Sequence, residues 1–297
     1  MPRVLITGVN GFIGQYLLQY RPPDATVTGT LNPAGATAHS FHADCQTIPL
    51  DLTKPIAHQL TNLQADVVIH LAAISGLGDC QHHPELAQRV NHQATAELAA
   101  WCAQNQIRLI YASTDIVFGG RAAPYSEDDR PNPINVYGKT KWQGEQAVRE
   151  TCPDAAIVRL PLVLGRGLGG RSNFVDWFLM HLNQNKTIKL FIDEIRTPVS
   201  VHDVAKALWQ IALSDETGIF HLAGNEALNR WELGKLFCRA LGQGEQLLSQ
   251  TTLDTFTSYP RPKDVSLIST RTLNGSPVRL PSIREKTGEI LGLANPR

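Results

Sequence analysis

The stretch RVLITGVNGFIG, residues 3–14, leads from β-favouring residues straight into glycines at positions 8, 11 and 14. After the glycines, apolar side chains recur at helical spacing as far as Tyr20. A glycine turn between a strand and a helix brings backbone N–H groups to the helix N-terminus, where the pyrophosphate of a dinucleotide binds. Residues 3–20 therefore predict the strand, turn and helix that open a dinucleotide-binding fold.

Strand-like runs continue along the first half of the chain, with helical patterns between them. The predicted strands are Arg3–Thr7, Thr26–Gly29, Thr47–Leu50, Val67–Leu71, Arg108–Ala112 and Ala156–Leu160, and the main predicted helices are Pro84–Gln104 and Val136–Glu150. Alternating β and α elements indicate a parallel sheet that is covered by helices on both faces. The predicted fold class is α/β, a doubly wound parallel sheet of the Rossmann type with a smaller α/β C-terminal lobe.

The pattern changes after residue 160, where glycines at positions 165, 167, 169 and 170 mark a loop. A helix is predicted around Asn173–Asn183, followed by shorter strand and helix pieces. We expect a dinucleotide-binding domain over residues 1–160 and a mainly substrate-binding lobe over residues 161–297. A segment near residues 195–223 is expected to return to the first domain.

Charge and cysteine content narrow the class of protein. The 27 basic residues match 27 acidic residues, and no basic tract is present, so neither nucleic acid nor a membrane is an expected partner. No run approaches a transmembrane span, and the N-terminus enters the first predicted strand at once, so we expect no signal peptide. The five cysteines are scattered without a CxxC pair, which favours a reducing, cytoplasmic location.

The run YGKTK, residues 137–141, places Tyr137 and Lys141 four positions apart, on one face of a predicted helix. An ammonium beside a phenol stabilises the phenolate, so the spacing predicts a pKa of Tyr137 below its usual value of about 10. Such a tyrosine can donate a proton to a carbonyl or accept one from an alcohol. The same spacing occurs by chance in many helices, and it gains weight here from the glycine turn upstream.

Hydroxyl groups follow the predicted strand at Ser113 and Thr114, next to Asp115. The carboxyl ends of parallel strands face the ligand crevice of an open α/β sheet. A hydroxyl at that end can hold a substrate carbonyl oxygen toward Tyr137. The alternative is that these residues only cap a helix or form a turn.

Together these motifs resemble the extended short-chain dehydrogenase/reductases. The matching residues are Gly8, Gly11, Gly14, Asp51, Leu52, Leu71, Ala72, Ala73, Asn91, Ser113, Thr114, Tyr137, Lys141 and Arg159. Within that superfamily, STDIVF at 113–118, NVYGKTK at 135–141 and YPRPKDVS at 259–266 are similar to the dTDP-4-dehydrorhamnose reductases. The resemblance covers nearly the whole chain.

The resemblance implies roles for individual residues. It makes Thr114 the hydroxyl that orients the substrate carbonyl, Tyr137 the general acid, and Lys141 the residue that holds the nicotinamide ribose and lowers the tyrosine pKa. The implied cofactor-binding residues are Gly8, Gly11, Phe12, Ile13, Gly14, Thr30, Asp51, Leu52, Leu71, Ala72, Ala73, Asn91, Tyr137 and Lys141. The implied substrate-binding residues are Ser113, Asp115, Ile116, Asn173 and Arg261. For Asn91, a plain polar position on a helix is an equal alternative.

The second predicted strand bears on the choice of cofactor. NAD-selective sites usually carry an acidic residue about 20 positions after the glycine run, where it binds the ribose 2′-hydroxyl. The corresponding run VTGTLN, residues 27–32, contains no carboxylate, and no arginine stands there either. We expect NADP(H) as the cofactor, with NAD(H) as the alternative.

Two departures from the reductase pattern fall on the substrate side. Ile116 stands where these reductases carry an aromatic residue, and GLGDCQHH at 76–83 replaces an acidic stretch. Residues 80–83 include zinc-ligand types, but their spacing fits no finger pattern, so we predict no metal site. Three arginines could bind a diphosphate or form plain surface ion pairs: Arg171, Arg196 and Arg261.

The resemblance implies NADPH-dependent reduction of the 4-keto group of a deoxy-sugar nucleotide, with Tyr137 protonating the oxygen. A dehydratase is disfavoured because dehydratases of the superfamily carry a glutamate where Ile116 stands. Two alternatives remain open, a sugar-nucleotide epimerase and a non-catalytic regulatory subunit of the methionine adenosyltransferase type. The expected partner is a sugar-nucleotide substrate, and a homodimer is one candidate assembly.

Overall fold

This computed structural model describes residues 1–35, 45–168, 173–273, 276–278 and 280–293. Three residues named above lie outside the described residues, namely Gly169, Gly170 and Arg171. Among the described helices, none has the length and apolar character needed to cross a membrane.

The strands, in chain order, are β1 (Arg3–Thr7), β2 (Thr26–Leu31), β3 (Gln46–Pro49), β4 (Val67–His70), β5 (Arg108–Thr114), β6 (Ala156–Leu160), β7 (Val163–Leu164), β8 (Ile188–Phe191), β9 (Ile195–Arg196), β10 (Val199–Ser200), β11 (Gly218–His221), β12 (Leu228–Asn229), β13 (Leu248–Thr251), β14 (Thr272–Leu273) and β15 (Ser276–Pro277). The helices are α1 (Phe12–Gln19), α2 (Leu77–His82), α3 (Pro84–Ala87), α4 (Ala94–Gln104), α5 (Val136–Thr151), α6 (Phe174–Asn183), α7 (Val201–Ala212), α8 (Arg230–Ala240) and α9 (Ile283–Leu291). A π-helical turn covers Gln88–Gln93 between α3 and α4, and 3₁₀ turns cover Pro33–Gly35, Ala57–Gln59, Asp115–Val117 and Leu253–Thr255.

A seven-stranded parallel sheet forms the centre of the molecule, in the order β11-β6-β5-β4-β1-β2-β3. The strand order reverses direction at β1, which is the topology of a doubly wound fold. The predicted fold class is confirmed, and so are the strands predicted for the first half of the chain and the helix at Val136–Glu150, with small shifts at their ends. The helix predicted over Pro84–Gln104 is divided into α3 and α4 by the π-helical turn at Gln88–Gln93.

Side chains alternate between the two faces of the sheet along each central strand, so two separate hydrophobic cores form. Val4 and Ile6 of β1 face one side, where they pack with buried residues of α1 and α7. Leu5 faces the other side and packs with α4 and α5. Helices therefore cover both faces of the sheet, as the apolar runs of buried parallel strands predict.

A third core lies beyond the large sheet. It is built by α6, α8 and α9 with the short parallel pair β8–β13, around Phe178 and Phe237. The segment between β9 and β12 runs from this core back to the sheet, because α7 packs on α1 and β11 pairs with β6 at the sheet edge.

One strand end differs from its prediction in a way that matters for the site. The sequence predicted that β5 ends at Ala112, but the strand continues through Ser113 and Thr114. These two residues pair with Arg159 and Leu160 of β6. Pairing with the neighbouring strand therefore extends β5 through residues whose local sequence favours a turn.

The turn after β1 generates a testable prediction. A Cβ atom at Gly14 would lie 2.6 Å from the carbonyl oxygen of Gly8 and 2.7 Å from that of Val9. Neither backbone oxygen can move without shifting β1 or α1, so we expect Gly14→Ala to lower the free energy of unfolding by roughly 1–3 kcal/mol. Urea denaturation, followed by circular dichroism, measures the change.

Gly288→Ala in α9 is the matched control, since a Cβ atom there meets nothing within 4 Å. Alanine is the better helix former, so this variant is expected to gain up to about 1 kcal/mol. Equal stability changes in the two variants would contradict the steric account of Gly14.

Candidate active site

A cavity of about 840 Å³ opens along the carboxyl edge of the sheet. Its volume lies in the range of small-molecule sites, roughly 300–1,000 Å³. The predicted site residues that line it are Gly8, Gly11, Phe12, Ile13, Gly14, Thr30, Asp51, Leu52, Leu71, Ala72, Ala73, Ser113, Thr114, Asp115, Ile116, Tyr137, Lys141 and Arg261. The structure thus brings together residues from the glycine turn, from several strand ends and from the C-terminal part of the chain.

Two predicted site residues do not line this cavity. Asn91 is buried in the π-helical turn, where its side chain bonds both backbone groups of Ile74, at 2.8 and 3.0 Å, and the Thr140 hydroxyl at 3.2 Å. It therefore holds the cavity-lining loop after β4 from behind. Asn173 caps α6, since its Oδ1 accepts from the backbone N–H groups of residues 175 and 176.

The glycine turn forms a cradle of backbone groups. Gly8 has a left-handed φ of +68°, and a Cβ atom there would lie 3.0 Å from Cα of Ala72. Its N–H donates to the Thr30 hydroxyl (3.3 Å), and its carbonyl accepts from Gly11 N–H (2.8 Å). Gly11 is the N-cap of α1 and has no side chain, so the N–H groups of the first turn remain available to an anion. This donor set fits the pyrophosphate of a dinucleotide.

Thr114 and Tyr137 meet at the end of β5. The Thr114 hydroxyl accepts from Ile116 N–H (3.2 Å) and donates to Asp115 Oδ1 (3.1 Å), and it lies near enough to the Tyr137 hydroxyl to influence its pKa. Thr114 therefore does cap the 3₁₀ turn that follows it, as the alternative reading of the sequence predicted. Because the cap uses only an oxygen lone pair, the hydroxyl can hold a substrate oxygen beside Tyr137 once its proton turns from Asp115 toward that oxygen.

Helix α5 carries the tyrosine and the lysine. Asn135 caps it, its Oδ1 accepting from Gly138 N–H at 2.8 Å, which fixes where the helix starts and so where Tyr137 points. Lys141 follows one turn later and is only 3% exposed. Its Nζ lies 4.1 Å from the centre of the Tyr111 ring, a cation–π contact.

The electrostatics of this pair differ from the sequence prediction. Burial raises the pKa of Tyr137 well above its usual value, although the nearby Thr114 hydroxyl opposes the shift. Burial also lowers the pKa of Lys141 to about 7, although Glu145 opposes the shift. The prediction that Lys141 draws the pKa of Tyr137 toward neutrality is wrong for this structure, because desolvation penalises both charged forms. Tyr137 is therefore a proton donor at neutral pH.

A buried ion pair lies beneath α5. Glu145, one turn after Lys141, accepts from Arg159 Nε (3.0 Å) and Nη2 (2.8 Å), and both side chains are nearly inaccessible. Ser113 donates to the same carboxylate at 2.5 Å, so its hydroxyl proton is turned away from the cavity. Sequence reasoning missed Glu145, although its spacing of four from Lys141 on one helix face was a signal.

Charged groups also gather in the cavity lining, around Asp115. Asp115 is buried, burial raises its pKa to about 6, and Oδ2 lies 3.3 Å from Nε of Arg196. Arg230, Arg196 and Arg261 all line the cavity. Sequence analysis named Arg196 and Arg261 but missed Arg230, because nothing around the first residue of α8 marks it as a ligand.

A family model described as the RmlD substrate binding domain matches residues 2–294. Among the curated relatives, the chain is 33% identical over 260 residues to the probable low-salt glycan biosynthesis reductase Agl14 of Haloferax volcanii, covering 84% of this chain and 83% of that protein. It is 30% identical over 275 residues to the methionine adenosyltransferase 2 subunit beta of Bos taurus (91% and 81%), and 32% identical over 263 residues to the dTDP-4-dehydrorhamnose reductase of Mycolicibacterium smegmatis (88% and 75%).

Solved structures share the fold. The dTDP-4-dehydrorhamnose reductase from Yersinia enterocolitica superposes with a TM-score of 0.84 at 24% identity, over 98% of this chain and 99% of that one. The dTDP-4-dehydrorhamnose reductase from Bacillus anthracis, in complex with NADP, superposes with a TM-score of 0.81 at 24% identity, over 97% and 98%. With a family model that spans nearly its whole length, the chain belongs to the RmlD substrate-binding-domain family.

Proposed function

We propose that the protein reduces the 4-keto group of a deoxy-sugar nucleotide with NADPH. The observation that carries this proposal is the meeting of Thr114, Tyr137 and Lys141 in the cavity that also contains the glycine turn. Curated relatives of about 30% identity include a probable reductase and a dTDP-4-dehydrorhamnose reductase, which supports the same class of reaction.

Bound NADPH would supply the hydride. The N–H groups around Gly8 and Gly11 would hold its pyrophosphate, Asp51 and Leu52 its adenine end, and Lys141 its nicotinamide ribose. NADP(H) is favoured over NAD(H) because Thr30 and the following residues of β2 present no carboxylate to repel a 2′-phosphate. The Bacillus anthracis neighbour in complex with NADP is consistent with this preference.

The side chains at the end of β5 would perform the proton chemistry. Thr114 would hydrogen-bond the carbonyl oxygen and hold it beside Tyr137. Since burial raises the pKa of Tyr137, the phenol keeps its proton until negative charge develops on the substrate oxygen. Asp115 and Ile116 lie next to this point and would contact the sugar.

The arginine-lined part of the cavity would receive the diphosphate of the substrate. Arg196, Arg230 and Arg261 line this part, and Nη1 of Arg230 is buried with no hydrogen-bond partner among the residues that the structure describes. Guanidinium groups suit diphosphate oxygens because each can donate two hydrogen bonds. We propose that residues 1–160, with the segment near 195–223, hold the cofactor and that residues 161–297 mainly hold the substrate.

The regulatory-subunit alternative has an observation of its own, the 30% identity to methionine adenosyltransferase 2 subunit beta. A pull-down with an adenosyltransferase, combined with an activity assay, separates the two functions.

All five cysteines are described and free, which supports a reducing compartment such as the cytoplasm. The homodimer stays a prediction, and light scattering of the purified protein tests it.

The reaction itself is the first prediction of this proposal. Purified protein should contain little bound dinucleotide and should oxidise added NADPH, at least as well as NADH, when given a 4-keto-6-deoxy sugar nucleotide. A reductase must exchange its cofactor in every turnover, whereas an epimerase regenerates its own NAD and gains by retaining it. Absorbance of the denatured supernatant and product mass with a labelled hydride donor measure both properties.

One equivalent of retained NAD without label transfer would favour the epimerase. No turnover with any 4-keto sugar nucleotide, together with binding to an adenosyltransferase, would favour the regulatory subunit.

Tyr137→Phe should lower turnover by at least about 100-fold, because positioned acid catalysis contributes roughly 10²–10⁴-fold. The affinity for NADPH should change little, since only one hydroxyl is lost. Tyr16→Phe is the matched control, because its hydroxyl donates to the carbonyl of Arg166 outside the cavity. Turnover of Tyr137→Phe equal to that of the control would rule out the proposed acid.

Lys141→Met should abolish turnover and yet stabilise the protein at neutral pH. The pKa of Lys141 is about 7 in the folded protein, below the usual 10.5. Between these two pH values the unfolded chain binds more protons than the folded protein, so the stability of the wild type rises with pH. Methionine carries no charge, so the variant avoids the free-energy cost of burying an ammonium, which is greatest at and below about pH 7. The advantage of the variant should therefore shrink by roughly 2 kcal/mol between pH 7 and pH 9, at about 1.4 kcal/mol per pH unit.

Urea denaturation at both pH values measures this difference. Lys139→Met, an exposed position on the same helix, is the matched control and should show no such pH dependence. A lower stability of Lys141→Met at pH 7 would contradict the proposed cost of burial.

A further inference from the structure

Glu194 is a buried carboxylate that contacts neither solvent nor the cavity, with 0% of its surface exposed. It accepts hydrogen bonds from Arg196 Nη2 (3.2 Å), Arg230 Nε (2.8 Å), and Arg261 Nε (3.0 Å) and Nη2 (2.5 Å). The partners lie in β9, at the start of α8 and in the segment after β13. One carboxylate therefore ties together three parts of the chain.

The three arginines that Glu194 holds are those that line the charged part of the cavity. Arg230 also packs its guanidinium on the Phe174 ring, with 4.8 Å to the ring centre. Arg261 lies among the rings of Phe191, Phe256 and Tyr259, at 5.5 to 5.9 Å. The guanidinium groups of Arg230 and Arg261 are thus fixed by the carboxylate on one edge and by aromatic faces, which leaves their remaining N–H groups with a defined direction.

The charges of this cluster do not cancel. Arg196, Arg230 and Arg261 carry three positive charges against the carboxylates of Glu194 and Asp115. Although burial opposes ionisation, the arginines hold the pKa of Glu194 at about 2, so it is charged throughout the working pH range. The excess positive charge next to the cavity remains available to an anionic ligand.

We propose that Glu194 is a positioning residue for the anionic group of the substrate, which it serves by orienting the guanidinium groups of Arg230 and Arg261 without touching the ligand. The inference rests on the proposed function, because it takes the ligand to be a nucleoside diphosphate. On this proposal, the affinity for the diphosphate depends on the orientation of the arginine side chains as well as on their charge.

Geometry and charge make opposite predictions for Glu194→Gln. Removing a negative charge beside an anion site should tighten the binding of an anion on Coulombic grounds alone. If Glu194 orients the arginines, the same substitution should weaken binding, because the guanidinium groups lose their common acceptor. The sign of the change in affinity therefore separates the two accounts.

The experiment is calorimetric titration of the purified protein with dTDP, UDP and NADPH. For Glu194→Gln, we expect the Kd of the nucleoside diphosphate to rise about tenfold or more, since charge-assisted, bidentate contacts are lost. The Kd of NADPH should stay within about twofold, because the glycine turn is independent of the arginine cluster. In turnover assays, KM for the sugar nucleotide should rise more than kcat falls.

Glu194→Asp is the second variant, since it keeps the charge and shortens the reach. It should also weaken diphosphate binding, by less than Glu194→Gln, and it decides the question alone if Glu194→Gln does not fold. Glu226→Gln is the matched control, because it makes the same chemical change at a surface ion pair with Arg284. It should leave all affinities unchanged.

Tighter or unchanged diphosphate binding in both Glu194 variants would overturn the positioning role while leaving the proposed function intact. Equal losses in NADPH affinity, diphosphate affinity and kcat would also overturn it, because they would indicate general structural damage. If the wild-type protein binds neither dTDP nor UDP, the proposed function fails first, and this inference fails with it.

Discussion

Parallel pairing of β4 with β1 on one side and β5 on the other is the constraint on which the site depends. Thr7 lies opposite His70, and His70 lies opposite Tyr111, so β1 and β4 end at the same level and β5 continues beyond them to Thr114. Buried hydrogen bonds lock this level, since His70 joins the hydroxyls of Thr7 (2.7 Å) and Thr95 (3.1 Å). The glycine turn, the loop after β4 and Thr114 therefore leave the sheet along one edge.

Charged side chains are buried near this edge of the sheet, although burying a charge is normally unfavourable. Lys141, Asp115, Glu145 and Glu194 are all buried, and each ion loses hydration that only well-oriented partners can replace. Glu145 and Glu194 have arginine partners at short range, and the arginines hold the pKa of Glu194 at about 2. Lys141 has no such direct ion pair among the described residues, which explains why burial lowers its pKa. Lys141 is thus held in the cavity at a cost in stability, as its lowered pKa indicates.

The cavity combines two sets of groups that suit an anion. In the first set, backbone N–H groups of the turn at Gly8 and Gly11 require no side chain and leave room for close approach. In the second set, guanidinium groups provide net charge and are oriented by Glu194. The glycine turn follows from a local run of sequence. Glu194, in contrast, joins Arg230 and Arg261, which lie 36 and 67 positions away from it in the chain. That difference in range explains why sequence analysis recognised the glycine turn completely and the arginine cluster only in part.

The sequence by itself determined the doubly wound sheet, the glycine turn and the spacing of Tyr137 and Lys141, because each depends on residues close together in the chain. Local periodicity and turn chemistry act over a few residues, so they can be read without the fold. The tertiary structure alone decided that β5 extends to Thr114, that Asn91 and Asn173 support the site from outside the cavity, and that Tyr137 keeps its proton. Strand pairing, burial and ion pairing arise between distant segments, and their energies depend on desolvation that exists only in the folded protein.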